Sequence, residues 1–176
     1  MNSTETLVDP ATSGQTPTAI DEAAGGHPRR WWVLAVLCLS LFLVVVDNTI
    51  VNVALPTLSA DLNASTTELQ WIVDAYTLVF ASLLLAFGHF GDRFGRRGAL
   101  ALGLILFGAT SALAAFATSA GGLIGVRALM GVGAALVFPA TLAILMNVFT
   151  DKKQRAAAIG IWSGATGMAV AAGPVA

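Results

Sequence analysis

Beyond residue 28 the chain is almost entirely five long apolar runs separated by short polar breaks. They cover about 31–54, 69–87, 99–118, 121–149 and 156–176. Each reaches the roughly 20 mostly apolar residues that one helix needs to cross a bilayer. Strands of a membrane barrel would alternate apolar and polar positions over ~10-residue segments, and none of these runs alternates. The pattern predicts an all-α polytopic membrane protein whose short links make consecutive helices antiparallel neighbours. The fourth run is long enough to tilt, and Pro139 within it is expected to kink it.

Residues 1–28 are of a different kind: rich in Thr, Ala, Gly and Pro, with four acids and no Lys or Arg. Such a segment has too little apolar surface to offset the entropy of ordering, and it is expected to be a disordered tail. An acidic tail before so long an apolar run also argues against a cleaved signal peptide. Only 11% of the chain is charged, against about 25% in soluble domains. A net charge of −1 leaves no case for nucleic-acid binding. Two histidines, His27 and His89, offer no metal-ligand spacing. No nucleophile–base set is apparent, so neither a metal site nor an enzyme is expected. Cys38 is the single cysteine and forms no internal disulfide.

The basic residues set the orientation. Arg29 and Arg30 precede the first run, Arg93, Arg96 and Arg97 separate the second from the third, and Lys152, Lys153 and Arg155 separate the fourth from the fifth. These are eight of the nine Lys and Arg. The opposite links, 55–68 and 119–120, hold none. By the positive-inside rule, the N-terminus and the arginine cluster are cytoplasmic. Trp31, Trp32 and Trp71 lie where interfacial anchors belong.

Three charges fall inside the runs: Asp47 in the first, Asp74 in the second and Arg127, the ninth base, in the fourth. Each costs roughly 2.5–3.5 kcal/mol near a helix centre on insertion scales, and such residues pair with one another or face water. At about 1.5 Å per residue, Asp47 is ~24 Å past Trp31, Asp74 ~21 Å before Gly88 and Arg127 ~33 Å before Phe149. All three then lie in the outer half of the membrane, where helices one, two and four are expected to bring two carboxylates and a guanidinium together. A carboxylate caught between desolvation and a nearby arginine is poised to exchange a proton. Asp74, near the start of its run, also fits a wet interface, and Arg127 also fits a snorkelling helix-end arginine.

Small residues mark close helix packing: Gly131 and Gly133 in the fourth run, Gly173 in the fifth. Pro174 removes a helix hydrogen bond just after Gly173. Between the second and third runs, FGHFGDRFGRRG concentrates Gly88, Asp92, Arg93, Gly95, Arg96 and Arg97 in one short turn. Positive-inside topology accounts for its arginines but not for its aspartate or its glycine spacing.

That turn is similar to the signature G-x-x-x-D-R-x-G-R-[RK] of the major facilitator superfamily, at the right place between spans two and three. VVDNTIVNVALP resembles the helix-one motif of its drug antiporters, through Asp47, Thr49, Asn52, Ala54, Leu55 and Pro56. LIGVRALMGVGAA resembles the helix-four motif through Arg127, Gly131 and Gly133, with Met130 where the family often has Gln. AAGPVA resembles the start of the helix-five antiporter motif. The resemblance covers about residues 30–176 and is nearest to the fourteen-span drug:proton antiporter branch (EmrB/QacA type).

The resemblance implies the first five transmembrane helices of an N-terminal six-helix bundle, in a multi-pass protein of the bacterial cytoplasmic membrane. It implies efflux of an amphiphilic or cationic substrate in exchange for protons by alternating access, with the proton gradient as energy source and no cofactor. Asp47 would then couple protonation, Arg127 would tune it and Asp74 would help recognise a cation. Asp92 would latch the cytoplasmic side shut across the interface with the other half. Five spans fall short of two six-helix halves, so a fragment, inactive alone, is expected. Two other readings stand beside this one: export of an endogenous metabolite or antibiotic, and a small oligomeric membrane protein or channel subunit if the chain is complete.

Overall fold

A computed structural model describes residues 29–172, with the backbone alone at Phe90, Asp92 and Phe94. The expected tail over 1–28, Gly173 and Pro174 lie outside the described residues. Five helices follow one another: α1 Arg30–Leu62, α2 Thr66–Phe94, α3 Arg96–Ala114, α4 Ala120–Val148 and α5 Lys152–Ala172.

Their ends follow local chemistry. α1 stops at Asn63, whose φ of 47° places it in the left-handed region that asparagine tolerates, and whose N–H donates to the Ser59 carbonyl. Two residues later Ser65 and Glu68 form a capping box that starts α2. Gly95 alone separates α2 from α3, and its φ of +101° is a conformation that a side chain would strain. Ser119 caps α4 through the Gly122 N–H, and Asp151 accepts from the Gln154 N–H at the start of α5.

Four of the helices, α1 to α4, are long and apolar enough to cross a membrane. With Leu39, Leu85, Ile105 and Met168 turned outward, the chain is a multi-pass membrane protein whose apolar outer surface meets lipid. α5 falls short among the described residues because Lys152, Lys153 and Arg155 occupy its first turn and its described part ends at Ala172. α1 runs through Pro56 to Leu62, eight residues past the expected end of the first run. α4 likewise continues through Pro139 as one helix of 29 residues.

α4 is the core of the bundle, packed most extensively on α2 and α3, while α1 lies chiefly along α5. Small residues make this possible. A Cβ added at Gly131 would sit 2.6 Å from the Tyr76 carbonyl oxygen of α2. One added at Gly133 would sit 2.9 Å from the Phe107 backbone nitrogen of α3, and Gly103 faces Gly133 in return. On α5 the buried stripe Ala158, Trp162, Ala165 and Ala169 keeps one face mostly small. Leu34, Leu37 and Leu41 of α1 join Ala158 and Trp162 there, closed off by Ile144, Leu145 and Phe149.

Overpacked cores lose typically ~1–3 kcal/mol. Gly131→Ala and Gly133→Ala are therefore expected to lower the thermal unfolding midpoint in detergent by several degrees. Gly108→Ala, which meets nothing within 4 Å, should leave it unchanged.

Candidate functional site

Arg127 is the most deeply buried charged side chain among the described residues, 1% exposed, although it sits two turns inside α4. Its guanidinium is held on every side. Nη1 donates to Asp47 Oδ2 of α1 at 2.6 Å, and Nη2 to Asn48 Oδ1 of the same helix at 3.2 Å. Nε donates to the backbone carbonyl of Ile72 on α2 at 3.2 Å. The Tyr76 ring, one turn along α2, lies 4.4 Å from the guanidinium carbon. A planar cation thus meets a carboxylate, an amide oxygen, a helix carbonyl and an aromatic face.

Of the two carboxylates expected there, one arrives. Asp47 pairs with Arg127 and stays 19% exposed. Asp74 is exposed on α2 and does not join them. The reason is helical geometry: Ile72 and Tyr76 face Arg127, and Asp74 is two residues, about 200°, from each. Arg127 does not snorkel, since its hydrogen bonds run inward. Asn48, Tyr76 and the Ile72 carbonyl are partners that the sequence reading missed. Two had a signal: Tyr76 is the single tyrosine of the chain and Asn48 adjoins the membrane aspartate. A backbone carbonyl carries none.

Two cavities flank the pair. One, about 330 Å³, is lined by Asp47 and Arg127, by Asp61 near the C-terminal end of α1, and by Ala114, Ala115 and Ala117 at the end of α3. The other, about 440 Å³, is lined by Asn48, Thr49, Asn52, Tyr76, Thr77 and the rings of Phe80 and Phe138, among others. Thr49 and Asn52 bond back to the carbonyls of Val45 and Asn48 one turn earlier. Pro56 has no N–H to offer the Asn52 carbonyl. The rings continue as a chain in which Tyr76 stacks on Phe80, Phe80 meets Phe138 edge-on, and Phe138 meets Trp162.

At the arginine-rich end, Arg96 Nη1 donates to the Ala143 carbonyl of α4 at 3.0 Å, tying the start of α3 across the bundle. Arg155 Nε donates to the Phe149 carbonyl at 2.8 Å. Both arginines, with Gly88, Pro139, Ala143 and Asn147, line a cleft of about 470 Å³. A Cβ at Gly88 would stand 3.9 Å from that of Pro139, an ordinary contact. Arg93 and Arg97 are exposed. The side chain of Asp92 lies outside the described residues.

The chain matches the family model described as Major Facilitator Superfamily over residues 37–176. It is 48% identical to the multidrug efflux pump LfrA of Mycolicibacterium smegmatis, over 84% of this chain and 29% of that protein. It is 44% identical to the puromycin resistance protein pur8 of Streptomyces alboniger, over 85% of this chain and 30% of the relative. With the methyl viologen resistance protein SmvA of Salmonella typhimurium it shares 43% identity, over 84% of this chain and 30% of the other. The chain spans about three-tenths of the length of these relatives.

Removing one member of a buried ion pair strands the other, at about 3–5 kcal/mol. Arg127→Met is expected to cost this much in thermal stability. The double variant Arg127→Met/Asp47→Leu should regain part of the loss. A double variant no more stable than Arg127→Met would mean that the pairing is not what stabilises the site.

Proposed function

The chain belongs to the Major Facilitator Superfamily, and on that premise we propose that it works as part of an exporter that exchanges protons for amphiphilic, mostly cationic small molecules. This is the reading of a transporter rather than an enzyme. The observation that carries it is the Arg127–Asp47 pair, a carboxylate joined to a buried guanidinium between two membrane helices and still touching a cavity. A structural ion pair has no need of that access. A proton carrier requires it.

Asp47 takes up and releases the proton. Arg127 stabilises its ionised form, and Asn52, Thr49 and the rings of Phe80 and Phe138 offer an amphiphile both hydrogen bonds and an aromatic wall. Asp74, standing apart on α2, has at most a peripheral part in attracting a cation. The names of the relatives, two of them resistance proteins for puromycin and for methyl viologen, support export of drug-like molecules. The fourteen-span drug:proton branch is the subgroup that the helix-one and helix-four motifs favour. The positive-inside distribution of bases supports a cytoplasmic N-terminus in the bacterial cytoplasmic membrane. No cofactor enters this mechanism, because the proton gradient drives it.

The segment from Gly88 to Arg97, the end of α2 and the start of α3, serves as the conformational latch. Gly95 turns the backbone where a side chain would strain it, and Arg96 fastens the turn to α4. In this reading Asp92 engages the other half of the transporter.

In everted membrane vesicles of the whole transporter, with ethidium as the transported probe, Asp47→Asn is expected to abolish proton-driven uptake while the protein stays in the membrane. Asp74→Asn should retain most of it. Undiminished uptake by Asp47→Asn would remove the coupling role. Asp92→Ala is expected to slow uptake while ethidium binding persists, and normal turnover would dismiss the latch.

A further inference from the structure

Asp47 and Asn48 are consecutive on α1, and therefore about 100° apart around the helix. Both are held by the same guanidinium, Asp47 by Nη1 and Asn48 by Nη2. Yet they open on different cavities. Asp47 lines the one rimmed by Asp61, and Asn48 lines the one walled by Phe80 and Phe138. The two cavities share no lining residue, and the Arg127 guanidinium, with Tyr76 over its face, stands between them.

The chemistry of the amide fixes its orientation. Arginine has only donors, so Asn48 must turn its oxygen to Nη2. That leaves the Asn48 NH₂ without an acceptor among the described residues, beside a cavity lined by further polar groups, Thr49, Asn52 and Thr77. Unlike Asp47, Asn48 does not titrate. Its hold on Arg127 joins the cation to a neutral amide oxygen at 3.2 Å, against 2.6 Å to the carboxylate, and is the weaker of the two that the Nη atoms make.

We propose that Asn48 is the positioning residue that links the two cavities, sharing Arg127 with Asp47 while the aromatic cavity is empty and giving it up when a cationic substrate binds there. This rests on the proton-exchange reading above. An N–H donor on the substrate takes the Asn48 oxygen in place of Nη2. Of its two side-chain acceptors the guanidinium then keeps only Asp47, and the added positive charge next to the pair further favours the carboxylate. Asp47 gives its proton to water, and the substrate stays bound beside an ionised Asp47. When Asp47 is protonated, its attraction for Arg127 weakens and Nη2 returns to Asn48. Substrate and proton thus exclude one another without touching the same residue.

The charged and titratable groups that face Asp47 are Arg127 from α4, Tyr76 from α2 and Asp61 on its own helix at the cavity rim, while α3 contributes only alanines there. Because substrate binding displaces a proton, affinity rises with pH, by about tenfold per pH unit for one proton exchanged.

The test is ethidium binding to the purified whole transporter by fluorescence anisotropy across a pH series, with proton release followed by pyranine in weak buffer. Wild type is expected to release protons on binding, and Asp47→Asn to release none. Asn48→Leu should still bind ethidium but with an affinity nearly independent of pH and without proton release. Asn52→Leu lines the same cavity without touching Arg127; it should bind less tightly while keeping the pH slope. If Asn48→Leu is not recovered folded, Asn48→Ala reads the same quantities. A wild-type slope and proton yield in the Asn48 variants would overturn the inference while leaving proton exchange intact. No slope in wild type would overturn the exchange reading, and this inference with it.

Discussion

A guanidinium that is 1% exposed inside a membrane bundle is the constraint on which the rest of this structure depends. Arginine does not lose its proton in a protein, so the charge must be neutralised and its donors satisfied where it stands. α1 supplies the carboxylate and an amide, and α2 supplies a carbonyl and an aromatic face. α1, α2 and α4 are thereby tied together at one depth. Among the described residues no buried side-chain nitrogen or oxygen lacks a partner.

The packing exists to let those partners reach. Gly131 lies one turn beyond Arg127, and its missing side chain lets α4 rest on the Tyr76 backbone. That contact brings Ile72, one turn back on α2, to within hydrogen-bonding distance of Arg127 Nε. Gly133 and Gly103 bring α3 against the opposite face of α4. Glycines and ion pair are therefore parts of one device. In lipid, where apolar side chains gain nothing by leaving the solvent, close backbone contact and buried polar bonds are what remain to hold helices together.

The same arrangement separates two environments. A carboxylate on one cavity and an amide on a second are held by a single planar cation. Asp74 has no share in it, because two residues along a helix reverse the face.

The sequence by itself determined the helical class, because runs of about twenty apolar residues have few other solutions in lipid. It determined that Asp47 and Arg127 need partners, because a lone charge in hydrocarbon is too costly, and it marked Gly131 and Gly133 as contact points. Helix ends were less legible: α1 continues eight residues past the apolar run to its cap at Asn63, and α2 starts at the Ser65 cap, ahead of the run expected from 69. Only the tertiary structure decided which carboxylate meets the arginine. Composition gives a residue's depth, whereas the face it presents depends on how each helix is rotated against its neighbours. The Ile72 carbonyl and the Tyr76 face became ligands because packing at Gly131 sets α2 against α4, and the Asn48 oxygen because α1 turns it to the same guanidinium.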